Sequence, residues 1–392
     1  MGNILAFAGF YYPHLGGAVT LMRELLTRMV KAGYKVDLFT CNTDKVSSHE
    51  TIDGIEVWRV PCWNMLHGTY PVPLPVPATI RILWKIFRKK HDVVFTYARF
   101  FPSAFLGLLI SKLKRVPLIH GEFGSSHSVT DQKAVNIISE LYDHTVGSII
   151  LGSATKLIAI CQASANFLEH LGGKNIVIIS PPMGLDMAIF KKTPNSLKIQ
   201  LGLPDKIIIA SVSRLIFAKG IQDLISAFPT IREKIPQATL IIVGDGPYKQ
   251  ELLKAAKKVG DSNIIFVGEK TIPEVAEILN ITDVLVNPSY SEGLTAAPVI
   301  EAGAIGVPSV TTDAGGTREI LEDRKTALIV KIGDVSAIAV KVCDLIQNDE
   351  LRKDIGKNIS QLVHEKWNWD NIFPLYINEF KALCERRRSV RS

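Results

Sequence analysis

The chain has 392 residues, 47% of them hydrophobic and 21% charged, with a formal net charge of +7. That make-up excludes a disordered or collagen-like chain, and the length points to two domains rather than one. The five cysteines include no C-x-x-C pair, which argues against a cysteine zinc site or a disulfide framework and fits a reducing compartment.

The basic excess is uneven: residues 1–186 are net +5, residues 187–392 net +2, and a further basic run, ERRRSVRS, closes the chain. An excess of this size suits phosphorylated ligands or an anionic membrane surface. No DNA- or RNA-binding motif accompanies it, so nucleic acid is not the expected partner. The start, MGNILAFAGFYY, lacks a basic n-region, and the apolar stretches 100–110 and 146–154 fall short of the ~20 residues a spanning helix needs. The expected location is cytoplasmic, in solution or on a membrane surface.

In chain order, NILAFAG (3–9) predicts a strand, residues 17–33 an amphipathic helix and YKVDLFT (34–40) a second strand. Further strands are predicted at 55–60, 92–97, 116–120 and 156–160. RILWKIFRKKH (81–91) has the spacing of a basic amphipathic helix, with Ile82, Leu83, Ile86 and Phe87 set against Arg81, Lys85, Arg88, Lys89 and Lys90. It fits either a membrane-surface helix or a core-facing helix with a solvated basic face. The second half repeats the alternation. Strands are predicted at 207–213, 238–244, 263–268, 283–289, 308–312 and 327–331, with helices from Ile221, after Gly246, from Pro273 and around 297–305. Continuous apolar strands alternating with helices predict parallel sheets covered on both faces, in two doubly wound α/β domains. The Pro- and Gly-rich segment 181–205 marks the break.

In such sheets ligands bind at the carboxyl ends of the strands. There, Gly16 and Gly17 open a helix, leaving room for a phosphate to approach backbone N–H groups. Arg214 and Lys219 follow a strand and could converge on one diphosphate. Gly244 and Gly246 flank Asp245 in a tight turn; Gly268 lies in a similar loop that could line a nucleobase slot. Glu292 and Glu301 stand among small and apolar residues, where a carboxylate needs a partner. Gly315 and Gly316 precede another helix start. His120 closes a strand before a glycine, and His127 could join it as a metal ligand, without an evident third. On the residues alone, each of these also fits a plain turn, a solvated charge or a structural histidine.

Taken together the loops resemble glycosyltransferase family 4, whose members are retaining sugar-nucleotide transferases of the GT-B fold. The matching pieces are GG at 16–17, His-Gly at 120–121, PPMGLD at 181–186, R-x4-KG at 214–220, VGDGP at 243–247, TDVLVNPS at 282–289, the glutamate pair with EAGAIGVPSV, and AGGTREI. The resemblance implies an N-terminal domain over 1–186, joined by a crossover helix at 372–392, and a nucleotide-sugar-binding domain over 205–371. It implies that Arg214 and Lys219 hold the donor diphosphate, and that Glu292 and the amides of Gly293, Leu294 and Thr295 lie at the sugar or phosphates. Glu301 would take the ribose hydroxyls, Gly244 and Gly268 the nucleotide, Gly16 and Gly17 a phosphate from the other domain, and His120 the transferred sugar. The donor would be a UDP- or GDP-linked hexose and the acceptor a glycan or lipid-linked molecule. No cofactor and no metal are expected: there is no D-x-D triplet, and cationic side chains would neutralise the leaving group. The family normally places seven residues between the two glutamates; here there are eight, 293–300, with the extra one expected around 295–298. A nucleotide-sugar 2-epimerase, or an inactive sugar-nucleotide binder on the same fold, is the competing reading.

Overall fold

The computed structural model describes residues 2–14, 16–68, 70–194 and 196–389. The chain divides into two compact units. The first comprises Met1–His127, Ile137–Met183 and Trp369–Ser392; the second comprises Ser128–Asn136 and Gly184–Asn368. The end of the basic terminal run, 390–392, lies outside the described residues.

The first unit is built on an eight-stranded sheet. Its order is Ile176–Ile178, Lys156–Ala159, Leu118–Glu122, Val93–Tyr97, Asn3–Phe7, Lys35–Cys41, Ile55–Val60 and His49–Ile52. All neighbours pair in parallel except the edge strand His49–Ile52, which turns back on Ile55–Val60. Helix Gly17–Lys31 sets Leu21, Met22, Leu25, Leu26 and Met29 at helical spacing into one face. The last helix, Trp369–Ser389, adds Ile372, Tyr376, Phe380 and Leu383 to that same core. Helix Pro102–Lys114 covers the other face at close range: a Cβ on Gly107 would sit 2.3 Å from Thr96 Cγ2.

The amphipathic helix runs over Pro77–Arg88. Ile82, Leu83, Ile86 and Phe87 pack against the core on the Pro102–Lys114 side, so the apolar face read from the sequence is taken by the unit itself. What remains exposed is a narrower stripe, Ile80 and Trp84, beside Arg81, Lys85 and Arg88. Among the described residues no helix is long and apolar enough to cross a membrane.

The second unit holds a six-stranded, all-parallel sheet in the order Ile264–Gly268, Ala238–Val243, Ile207–Val212, Val284–Asn287, Ser309–Thr312, Leu328–Val330. Numbered along the unit, this is 3-2-1-4-5-6, the doubly wound order. It reverses between Ile207–Val212 and Val284–Asn287, and a crevice opens at the carboxyl ends of such a pair. The segment after Met183 belongs to this unit: Leu185 N–H donates to the Trp367 carbonyl at 2.9 Å, and Phe190 is buried in its core.

Candidate functional site

The two loops at the reversal carry the residues singled out by sequence. Ile207–Val212 runs into Ser213–Gly220, bearing Arg214 and Lys219; Val284–Asn287 runs into 288–296, bearing Glu292 and leading into helix Ala297–Ile305 with Glu301.

Glycines lock these loops to their neighbours. Gly220, at φ +65°, lies where a Cβ would fall 2.0 Å from the Pro288 carbonyl oxygen. Gly244, at φ +132°, would put one 1.9 Å from the Ser213 oxygen, and Gly246 one 2.4 Å from the Leu215 oxygen. Their role is therefore close backbone approach as much as a tight turn. Around them, Tyr290 N–H donates to the Ala218 carbonyl at 2.8 Å, its hydroxyl accepts from Gln222 Nε2 at 2.8 Å, and Phe217 packs edge-on against both Tyr290 and Tyr248. The loop bearing Gly315 and Gly316 closes from the other side: Gly316 N–H donates to the Gly293 carbonyl at 2.9 Å.

Lys219 Nζ donates to Glu292 Oε1 at 2.6 Å, and both side chains are mostly buried. The resemblance implies separate duties for these two; the fold brings them together. Arg214 makes no such pair. Its guanidinium has no hydrogen bond among the described residues, and burial lowers its pKa, opposed in part by Glu269. The side chain is exposed, and a guanidinium with no partner of its own is open to an anion.

Glu301 is the most unusual group. Its carboxyl has no hydrogen bond or ion pair among the described residues, and burial alone raises its pKa from 4.5 to about 7. The backbone N–H groups of Leu294 and Thr295 also find no acceptor there. The hydroxyls of Ser213 and Thr295 are buried without a partner. Thr295 was expected at the donor through its amide, not its hydroxyl; Ser213 was not marked out, since nothing in the sequence separates it from an ordinary loop residue. The Leu294 side chain is buried in place, so only its backbone faces the loop. An unpaired cation, an unpaired carboxyl and several unpaired donors in loops of one sheet end describe a binding site. Gly268, at φ +75°, has open space around it at the end of the neighbouring strand.

The remaining candidates belong to the first unit. Gly16 and Gly17 open helix Gly17–Lys31 with nothing within 4 Å of a built Cβ, so the approach to that helix start is unobstructed. His120 is fully buried. Its Nδ1 lies 2.9 Å from Thr96 Oγ1 and its Nε2 3.5 Å from Glu122. A place over a bound sugar, expected from resemblance, would require those neighbours to part. His127 donates from Nδ1 to Asp143 Oδ2, 2.7 Å away, and among the described residues no group of three possible metal ligands includes His120.

An α/β chain of two doubly wound units, with such a site at the reversal of one sheet, is of the class that binds nucleotide-linked substrates. Residues 15–186 match the family described as Glycosyltransferase Family 4, and residues 195–362 match Glycosyl transferases group 1. The chain is 28% identical over 392 residues to an uncharacterized glycosyltransferase of Methanocaldococcus jannaschii, covering 98% of both chains. It is 24% identical to a GDP-mannose-dependent alpha-(1-6)-phosphatidylinositol monomannoside mannosyltransferase of Mycobacterium tuberculosis, covering 95% of this chain and 96% of the relative. Among solved structures, a sucrose-phosphate synthase from Thermosynechococcus elongatus superposes with a TM-score of 0.83 at 21% identity, covering 98% of this chain and 99% of that one. Anabaena HepE, solved with UDP and glucose, gives 0.79 at 19% identity, covering 97% and 100%. The fold is GT-B, and the chain belongs to the family 4 type of glycosyltransferases.

Proposed function

We propose that the protein is a retaining glycosyltransferase that moves a hexose from a UDP- or GDP-linked donor to a glycan or lipid-linked acceptor, without a metal. The observation that carries this reading is the pairing of opposite needs in one set of loops. Arg214 and Lys219 supply positive charge, while the Glu301 carboxyl lacks the hydrogen-bond donors that a ribose offers. Two neighbours bear on the donor: HepE was solved with UDP-glucose, and the mycobacterial relative is named as GDP-mannose-dependent.

In this reading the bond between the sugar's anomeric carbon and the diphosphate oxygen breaks, and negative charge grows on the leaving nucleoside diphosphate. Arg214 presents a fork and Lys219 a point charge to it. Lys219 is held by Glu292 beforehand, so the ammonium is already positioned when the donor arrives. The N–H groups of Leu294 and Thr295 are free to bind the donor's sugar or phosphate oxygens. The acceptor hydroxyl attacks the same face that the diphosphate leaves and passes its proton to the departing diphosphate oxygen, which gives retention. Gly16 and Gly17 keep the roles the resemblance implies; His120 takes its role only once its contacts with Thr96 and Glu122 open.

A panel of nucleotide sugars screened by thermal shift tests the donor: a ligand at 100 times its Kd adds about 2.7 kcal/mol of stability. UDP- or GDP-sugars raise Tm in this reading; no response to any of them removes it. The anomeric configuration of the product, read by NMR, then tests retention. For the acceptor side, Ile80 and Trp84 beside Arg81, Lys85 and Arg88 suit an anionic membrane surface. Vesicles rich in anionic lipid should retain more protein at low salt than neutral ones, and Trp84→Ala should reduce the difference. Equal retention on both would end the membrane proposal.

A further inference from the structure

His127, which the sequence set beside His120 without an evident third ligand, has two other companions in space. His127, His144 and His170 each offer a ligand atom, and these atoms lie within 4.8 Å of one another. All three belong to the first unit. They come from separate pieces of chain: the end of the loop after Leu118–Glu122, the π-helical turn Asp143–Gly147, and the last residue of helix Gln162–His170.

Several features suit a cation. Asp143 Oδ2 sits 2.7 Å from His127 Nδ1, which fixes that ring and leaves Nε2 as its ligating atom, the carboxylate–histidine arrangement that supports metal ligands. Asp143 is itself fully buried and held through two bonds from Arg99, at 2.8 and 2.9 Å, so the support is rigid. The face of His127 is also pinned edge-on by Phe167, with ring centroids 5.0 Å apart. His170 stands at the carboxyl end of its helix, where the backbone dipole favours positive charge. His144 and His170 are exposed, so their rings can close the remaining distance. Ligand nitrogens around a tetrahedral zinc lie ~3.4 Å apart, since each bond is ~2.05 Å.

We infer that His127, His144 and His170 form a three-histidine site for a first-row divalent transition metal, zinc by preference, with water completing the coordination. Imidazole ligands suit zinc, nickel, cobalt and copper, and exclude magnesium and calcium, which take oxygen ligands. Bound there, the ion would fasten the end of helix Gln162–His170 to the Asp143–Gly147 turn. None of the three histidines is among the residues given a part in sugar transfer, so the inference does not rest on that chemistry.

The test uses the untagged full-length chain, stripped with a chelator and titrated calorimetrically with Zn²⁺ and Ni²⁺, with Co²⁺ absorption reporting the coordination. One metal per chain should bind, and His144→Ala and His170→Ala should each weaken it by about tenfold or more. Both substitutions are at exposed positions, and far-UV circular dichroism confirms that the variants fold. Co²⁺ should give the intense visible bands of a four-coordinate nitrogen site. Absence of saturable one-to-one binding overturns the proposal. So does binding that both variants retain unchanged, or tight Mg²⁺ binding that Zn²⁺ fails to displace.

Discussion

At the residue scale, Glu301 makes a claim with a sign. Its carboxyl titrates near 7 in the folded chain against 4.5 when unfolded, because burial disfavours the charge and nothing pairs with it. Below about pH 4.5 the group is protonated in both states and contributes nothing. Between there and pH 7 the folded state binds more protons, so stability falls as pH rises. Above 7 the ionised group leaves a deficit of about 3 kcal/mol. Glu301→Gln should therefore stabilise the ligand-free protein at pH 8 and change little at pH 4, as urea unfolding at the two values would show. The same variant should bind donor less well, by ~1.5–3 kcal/mol, since charge-assisted bonds to two hydroxyls become neutral ones. Opposite movements in stability and affinity mark a residue kept for a ligand. A variant no more stable than wild type at pH 8, or one with unchanged donor affinity, contradicts that role.

At the scale of elements, the loops at the second sheet's end act through glycine. Gly244 and Gly268 both have positive φ, but only Gly244 meets backbone where a Cβ would be. Gly268→Ala should cost about 1 kcal/mol for the left-handed backbone alone. Gly244→Ala must also move the Ser213–Lys219 loop, so it should cost more and weaken donor binding; equal costs would contradict the interlocking described above. This also shows what sequence could carry. The parallel strands and their strand-end loops were legible because buried parallel strands read as unbroken apolar runs. The edge strand His49–Ile52, the short Ile176–Ile178 and the hairpin of Cys62–Asn64 with Tyr70–Pro73 were not, being brief and mixed in character. Residue types at strand ends pointed to Arg214, Lys219, Glu292 and Glu301. The Lys219–Glu292 bond, the burial of His120 and the meeting of three histidines depend on contacts across long stretches of chain, which no local pattern reports. The Pro77–Arg88 helix shows the limit of periodicity, which found the apolar face but could not say whether core or membrane receives it.

At the scale of the whole molecule, the chain returns to the first unit after completing the second. Helix Trp369–Ser389 buries Ile372, Tyr376, Phe380 and Leu383 in the first unit's core. Four such side chains are together worth ~6–12 kcal/mol of burial, comparable with a domain's entire stability. A chain ending at Asn368 should lose cooperative unfolding of the first unit while the second, Gly184–Asn368, still melts as a unit; hydrogen exchange would separate the two, and full protection of the first unit would contradict the assignment. Arg214 and Lys219 are proposed to neutralise the leaving diphosphate without a metal, which makes their interaction strongest in the transition state. The most direct measurement is steady-state kinetics of wild type and Lys219→Ala in EDTA. Wild type should be unaffected by EDTA, and the variant's kcat should fall ~10²-fold or more, with a smaller rise in donor KM. A near-normal kcat in the variant, or wild-type activity abolished by EDTA and restored by Mg²⁺ or Mn²⁺, would contradict it.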